Sequence, residues 1–82
     1  MNEFSLREFE KLKKVVMDKI LSKEARERLG RVRMVKPELA LQVEVYLIKL
    51  YQAGRIKNLI SDEEMKKILE QFSRGKEYKI LK

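Results

Sequence analysis

Eighty-two residues suffice for one small domain, near the lower size at which an apolar core sustains a fold without covalent staples. The chain has no cysteine and no histidine, which excludes disulfides and thiolate metal sites and removes the commonest general base and metal ligand. Twenty Lys and Arg against thirteen Asp and Glu leave a formal charge of +7, and such a surplus attracts polyanions through phosphate neutralisation and counterion release.

The remaining inventory argues against catalysis. A serine nucleophile needs an activating base beside it, and the residues that usually serve are missing. The expectation is a protein that binds, with no enzyme activity, no cofactor and no metal. A chain with 40% charged residues also fits a heat-adapted surface laced with ion pairs, so basic charge alone leaves two readings open. The start of the chain carries Glu3 and lacks the apolar run of a signal peptide, and no stretch approaches the ~20 apolar residues of a membrane span. A cytoplasmic protein, soluble and monomeric, is expected.

Ser5 has the character of an N-cap, with Glu8 placed for a capping box and Phe4 and Phe9 for a hydrophobic staple. The helix that follows carries Leu6, Phe9, Leu12, Val16 and Ile20 on one stripe, with Glu10, Lys11 and Lys14 solvated. Ser22 offers a second cap and marks a bend or break. The next helix, from about Lys23 to Met34, buries Leu21, Ala25, Leu29 and Val32. Arg26 and Arg33 fall on one flank of that stripe and Arg31 on the other, while Arg28 borders it. Gly30, in its interior, either permits close helix approach or is simply tolerated, at about 1 kcal/mol relative to alanine.

Proline at 37 pushes Lys36 out of helical geometry and suits the first position of a third helix, which runs to Ala53 before Gly54 as a left-handed cap. Its main stripe is Leu39, Val43, Tyr46, Leu47 and Leu50. Leu41, Val45 and Ile48 lie opposite, leaving a narrow polar strip at Glu38, Gln42, Lys49 and Gln52. A helix apolar nearly all round is buried on several sides, so this is the central element. A loop leads to Ser61, where Ser61 with Glu64 makes a capping box and Ile60 with Met65 a staple. Met65, Ile68, Leu69 and Phe72 follow at helical spacing, and Gly75 ends the helix. The reading is an all-α protein: a compact three- to four-helix bundle over residues 1–75, with a flexible basic C-terminal tail over 76–82.

Three runs together carry a resemblance: Ala25-Arg26-Glu27-Arg28-Leu29, then Val35-Lys36-Pro37-Glu38, then Val43-Glu44-Val45-Tyr46-Leu47-Ile48. Gly54-Arg55-Ile56, Ile60-Ser61-Asp62-Glu63-Glu64 and Ile68-Leu69 extend it, so that it covers roughly 15–81. In this order and spacing the chain resembles the programmed cell death protein 5 family. The resemblance implies a helical bundle with charged extensions, double-stranded DNA binding as in the archaeal members, and protein partners such as a chaperonin or an acetyltransferase as in the eukaryotic ones. The basic ending at Lys76, Lys79 and Lys82, where eukaryotic members are acidic, favours DNA.

The candidate nucleic-acid contacts are Arg26, Arg31, Arg33 and Lys36, the loop residues Arg55 and Lys57, and Lys76, Lys79 and Lys82 of the tail. A helix-turn-helix reading is disfavoured, because the helix after Pro37 is too apolar to expose a base-reading face. Asp62, Glu63 and Glu64 suit the first turn of a helix, where carboxylates complement the macrodipole, better than a metal. Tyr46 and Tyr51 fall on or near the core stripe, and Val45 marks a candidate partner patch. Sequence-indifferent contact with duplex DNA phosphates is the leading expectation; if five or six are neutralised, log affinity falls against log salt with a slope of about −5. The alternatives are an RNA- or ribosome-associated binder and a protein-interaction adaptor.

Overall fold

The computed structural model describes residues 6–75, and all regular structure there is helical. Helix α1 spans Leu6–Ile20, α2 Lys23–Val35, α3 Pro37–Gln52 and α4 Asp62–Ser73. The candidate Ser5 cap, with its Phe4 staple, and the basic tail lie outside the described residues. Local chemistry sets each boundary inside them. Ser22 caps α2, its hydroxyl oxygen accepting the Ala25 N–H at 3.1 Å. Pro37 opens α3, where its missing N–H removes nothing the helix uses. Ser61 and Glu64 exchange reciprocal bonds of 3.0 and 3.2 Å in the expected capping box. Gly54 and Gly75 take φ of 71° and 77°, the left-handed region that glycine enters without a Cβ clash.

Helix α3 is central: α1, α2 and α4 all pack on it, and α2 also packs on α4. Its Ala40, Val43 and Leu47 are fully buried, with Ala25 and Leu29 of α2 and Met65 of α4. A short parallel bridge, with Ser22 N–H on the Ile60 carbonyl at 3.0 Å and Ile60 N–H on the Ile20 carbonyl at 2.7 Å, ties the α1–α2 junction to the chain entering α4.

Two expectations about faces change, the α1 stripe and the place of Tyr51. In α1 the stripe shifts: Leu6 and Leu12 are 74% and 39% exposed, while Met17 joins Val16 and Ile20 in the core. The rotation is explained by what α1 packs against, since Lys13 turns inward to meet a buried carboxylate. The second apolar side of α3 is covered as a helix buried on several sides requires, with Ile48 buried and Val45 half-buried, though Leu41 stays exposed. Tyr51 stands at the surface, whereas Tyr46 packs on Phe72 of α4 with ring centroids 5.4 Å apart. Gly30 brings no neighbour close, since a Cβ there would meet only the end of Arg33, at 3.9 Å. It is tolerated rather than required.

Candidate nucleic-acid interface

The cations sort into those held by carboxylates and those facing solvent. Glu44, 1% exposed on α3, is the focus of the first group. Its Oε1 lies 3.2 Å from Lys13 Nζ of α1, and its Oε2 accepts from Nε of Arg33 of α2 at 3.1 Å and from Nη2. A carboxylate taken out of water needs partners on both oxygens, and here two helices supply them. Lys13 also meets Glu10 at 3.1 Å and sits 5.6 Å above the Phe9 ring.

Arg28 of α2 grips Asp62, the first residue of α4, with Nε at 2.6 Å and Nη2 at 3.0 Å. This two-pronged bond holds the Asp62 carboxyl below its usual range, with a further push from the nearby Lys66 and Arg31, and raises Arg28. Asp62 thus does more than complement the helix dipole. Arg26 approaches Asp18 at 3.7 Å, and Arg74 binds Glu70 one helical turn back.

Most of the rest gather in three concavities, while Lys19, Lys23 and Lys49 line none of them. Between α1 and α2 runs a groove of about 580 Å³, lined by Arg7, Lys11 and Lys14 on one wall and the ion-paired Arg26 and Arg33 on the other. Between α2 and α4 lies a second groove of about 540 Å³, with Arg31, Lys36 and Lys66 around a floor of Val32, Val35, Leu39 and Leu69. The third hollow, about 370 Å³, holds Arg55, Lys57 and Lys67 beside the α3–α4 loop. Arg7, Lys11, Lys14, Arg31, Lys36 and Lys66 make no ion pair with a described residue.

The sequence-derived candidates therefore divide. Arg26 and Arg33 share one groove, Arg31 and Lys36 the other, Arg55 and Lys57 the loop hollow, and Lys76, Lys79 and Lys82 lie outside the described residues. The side chains absent from those candidates are Arg7, Lys11, Lys14, Lys66 and Lys67. The first three recur at i, i+4 and i+7, a helical stripe that was readable as one basic face. Glu44 had a signal too, because an acid four residues after Ala40 and three before Leu47 falls on the buried side of the central helix. Among the described residues no group of three or more Asp and Glu converges as a metal site, and no helix is long and apolar enough to cross a membrane.

Fold and surface together define a small all-α domain with cation-lined grooves, and comparison with known proteins places it. The sequence model of the double-stranded DNA-binding domain family matches residues 2–82, and the chain belongs to that family, the archaeal branch of the resemblance to programmed cell death protein 5. It is 61% identical over 57 residues to a protein of Thermococcus gammatolerans named a DNA-binding protein, covering 70% of this chain and 51% of that one. A DNA-binding protein of Thermococcus kodakarensis is 58% identical over 62 residues, 76% of this chain and 55% of its own. One from Methanococcus aeolicus is 54% identical over 64 residues, 78% and 54% of the two chains. The chain spans about half the length of the relatives it matches.

Proposed function

We propose that this chain binds double-stranded DNA through backbone phosphates without reading base sequence, and that it acts by binding rather than by catalysis. The observation that carries this is the pair of cation groups on the flanks of α2, Arg7, Lys11 and Lys14 on one side and Arg31, Lys36 and Lys66 on the other, none of them in a direct ion pair among the described residues. Unpaired cations release condensed counterions when they meet phosphate, and this term needs no base contact. Base reading has little to work with. The solvent ridge of α2 carries Lys23, Glu27 and Met34, with no row of base-reading side chains, and α3 is packed against three other helices. The names of the relatives, DNA-binding proteins, agree with the reading.

Anisotropy titrations of two unrelated duplexes between about 50 and 200 mM salt test it. With three to six phosphates neutralised, log affinity falls against log salt with a slope between about −3 and −5. Replacing Arg31, Lys36 and Lys66 with alanine weakens both duplexes alike. A slope near zero, no binding at about 50 mM salt, or one sequence spared by the substitutions overturns the proposal.

A second reading, a protein-interaction adaptor, draws on Met34 and Val35, 84% and 75% exposed at the end of α2 beside the apolar floor of its groove. Capture of a defined protein from lysate that persists after nuclease digestion favours it; complete loss favours nucleic acid. Competition by an RNA duplex at equal salt decides between the two polyanions.

A further inference from the structure

The two cation groups do not share a face. Arg31 and Arg33 are two residues apart on α2, hence about 200° apart around its axis, and each lines a different groove. The central helix repeats this geometry. Glu44 of α3 is bound by Lys13 of α1, while Tyr46, again about 200° further round, packs on Phe72 of α4. Helices α1 and α4 therefore stand on opposite sides of α3, and they carry Arg7, Lys11, Lys14 and Lys66 outward with them.

Resting on the DNA reading above, we infer that a single chain holds two duplexes at once, one against the α1–α2 flank and one against the α2–α4 flank, and so bridges DNA. Each flank offers three exposed cations with no direct ion pair among the described residues. For one duplex to meet both flanks it would have to straddle α2, a cylinder of about 10–12 Å with its side chains. The ridge between them carries the exposed Lys23, Glu27 and Met34, so it adds no net positive charge to a straddling contact.

The number of cations per flank separates the two geometries. A duplex held by three cations shows a salt slope of about −3, and one that uses both flanks a slope beyond about −5. The assay immobilises one duplex on beads and measures capture of a second, labelled duplex by the full chain, with sedimentation giving duplexes per chain. Capture rises with protein, falls again when protein saturates each duplex separately, and corresponds to two duplexes per monomer. The variants R7Q/K11Q/K14Q and R31Q/K36Q/K66Q alter only exposed side chains, and circular dichroism checks their helicity. Each retains single-duplex binding, weakened less than tenfold, while second-duplex capture drops more than tenfold. One-to-one binding with a slope near −5 and no capture overturns bridging and leaves DNA binding standing. Capture that survives in both variants also overturns it, since the bridge would then belong to a multimer of chains. Failure of the parent to bind even one duplex removes the DNA reading itself.

Discussion

Glu44 invites a perturbation whose sign depends on its surroundings. Replacing Lys13 and Arg33 together by methionine keeps much of their aliphatic bulk but strands a carboxylate that is 1% exposed. Removing the partners of a buried charge costs about 3–5 kcal/mol. For a domain of this size each kcal/mol moves the midpoint of thermal unfolding by about 4–8 °C, so the stripped variant melts at least about 12 °C lower. E44Q in the parent chain also destabilises, by about 1.5–3 kcal/mol, because two charge-assisted bonds are lost. The half-exposed Arg33 recovers hydration in that variant, which limits the damage. In the stripped background the same E44Q substitution removes the stranded charge and restores about 1–3 kcal/mol. Thermal unfolding of the four proteins by far-ultraviolet circular dichroism at neutral pH reads the sign directly. If E44Q destabilises both backgrounds by the same amount, the carboxylate is solvated and the account of α1 docking is wrong.

Other substitutions test neighbouring parts of the fold. Asp62 has its carboxyl lowered by Arg28, so its contribution is present above the ordinary value of 3.8 and is lost as pH falls below it toward the folded-state value. Acid titration of the melting temperature shows that loss in the parent chain, and D62N removes it. Gly30→Ala meets only the tip of Arg33 at 3.9 Å, so it gains about 1 kcal/mol of helix propensity, read as a higher denaturation midpoint. Ser61→Ala removes the acceptor of the Glu64 N–H and lowers stability by about 1 kcal/mol in urea denaturation.

What was legible in the sequence was local. Pro37, Gly54 and the Ser61–Glu64 box announce their boundaries because each acts on backbone groups within one turn. The central role of α3 was also readable, since apolar residues nearly all round its axis leave no other placement. The face of α1 was not. Its apolar residues occupy a wide arc, and which part of the arc is buried depends on a carboxylate in another helix. Lys13, a basic residue by any local rule, goes inward because Glu44 is there.

The same interdependence governs the surface. A formal charge of +7 counts every cation alike, but the fold assigns Lys13, Arg28 and Arg33 to joining helices and leaves Arg7, Lys11, Lys14, Arg31, Lys36 and Lys66 to solvent. Arg31 and Arg33 look equivalent in sequence, yet two positions along a helix put one on each flank of α2. The interior pairs also decide where the outward cations point. Glu44 ties α1 to α2 through Lys13 and Arg33, and so fixes the Arg7–Lys11–Lys14 stripe above the α1–α2 groove. Arg28 and Asp62 do the same for α4, bringing Lys66 beside Arg31. Each basic flank is thus built by one ion pair or ion-pair cluster between helices. Weakening either should shift the cations on its own side and leave the opposite flank in place.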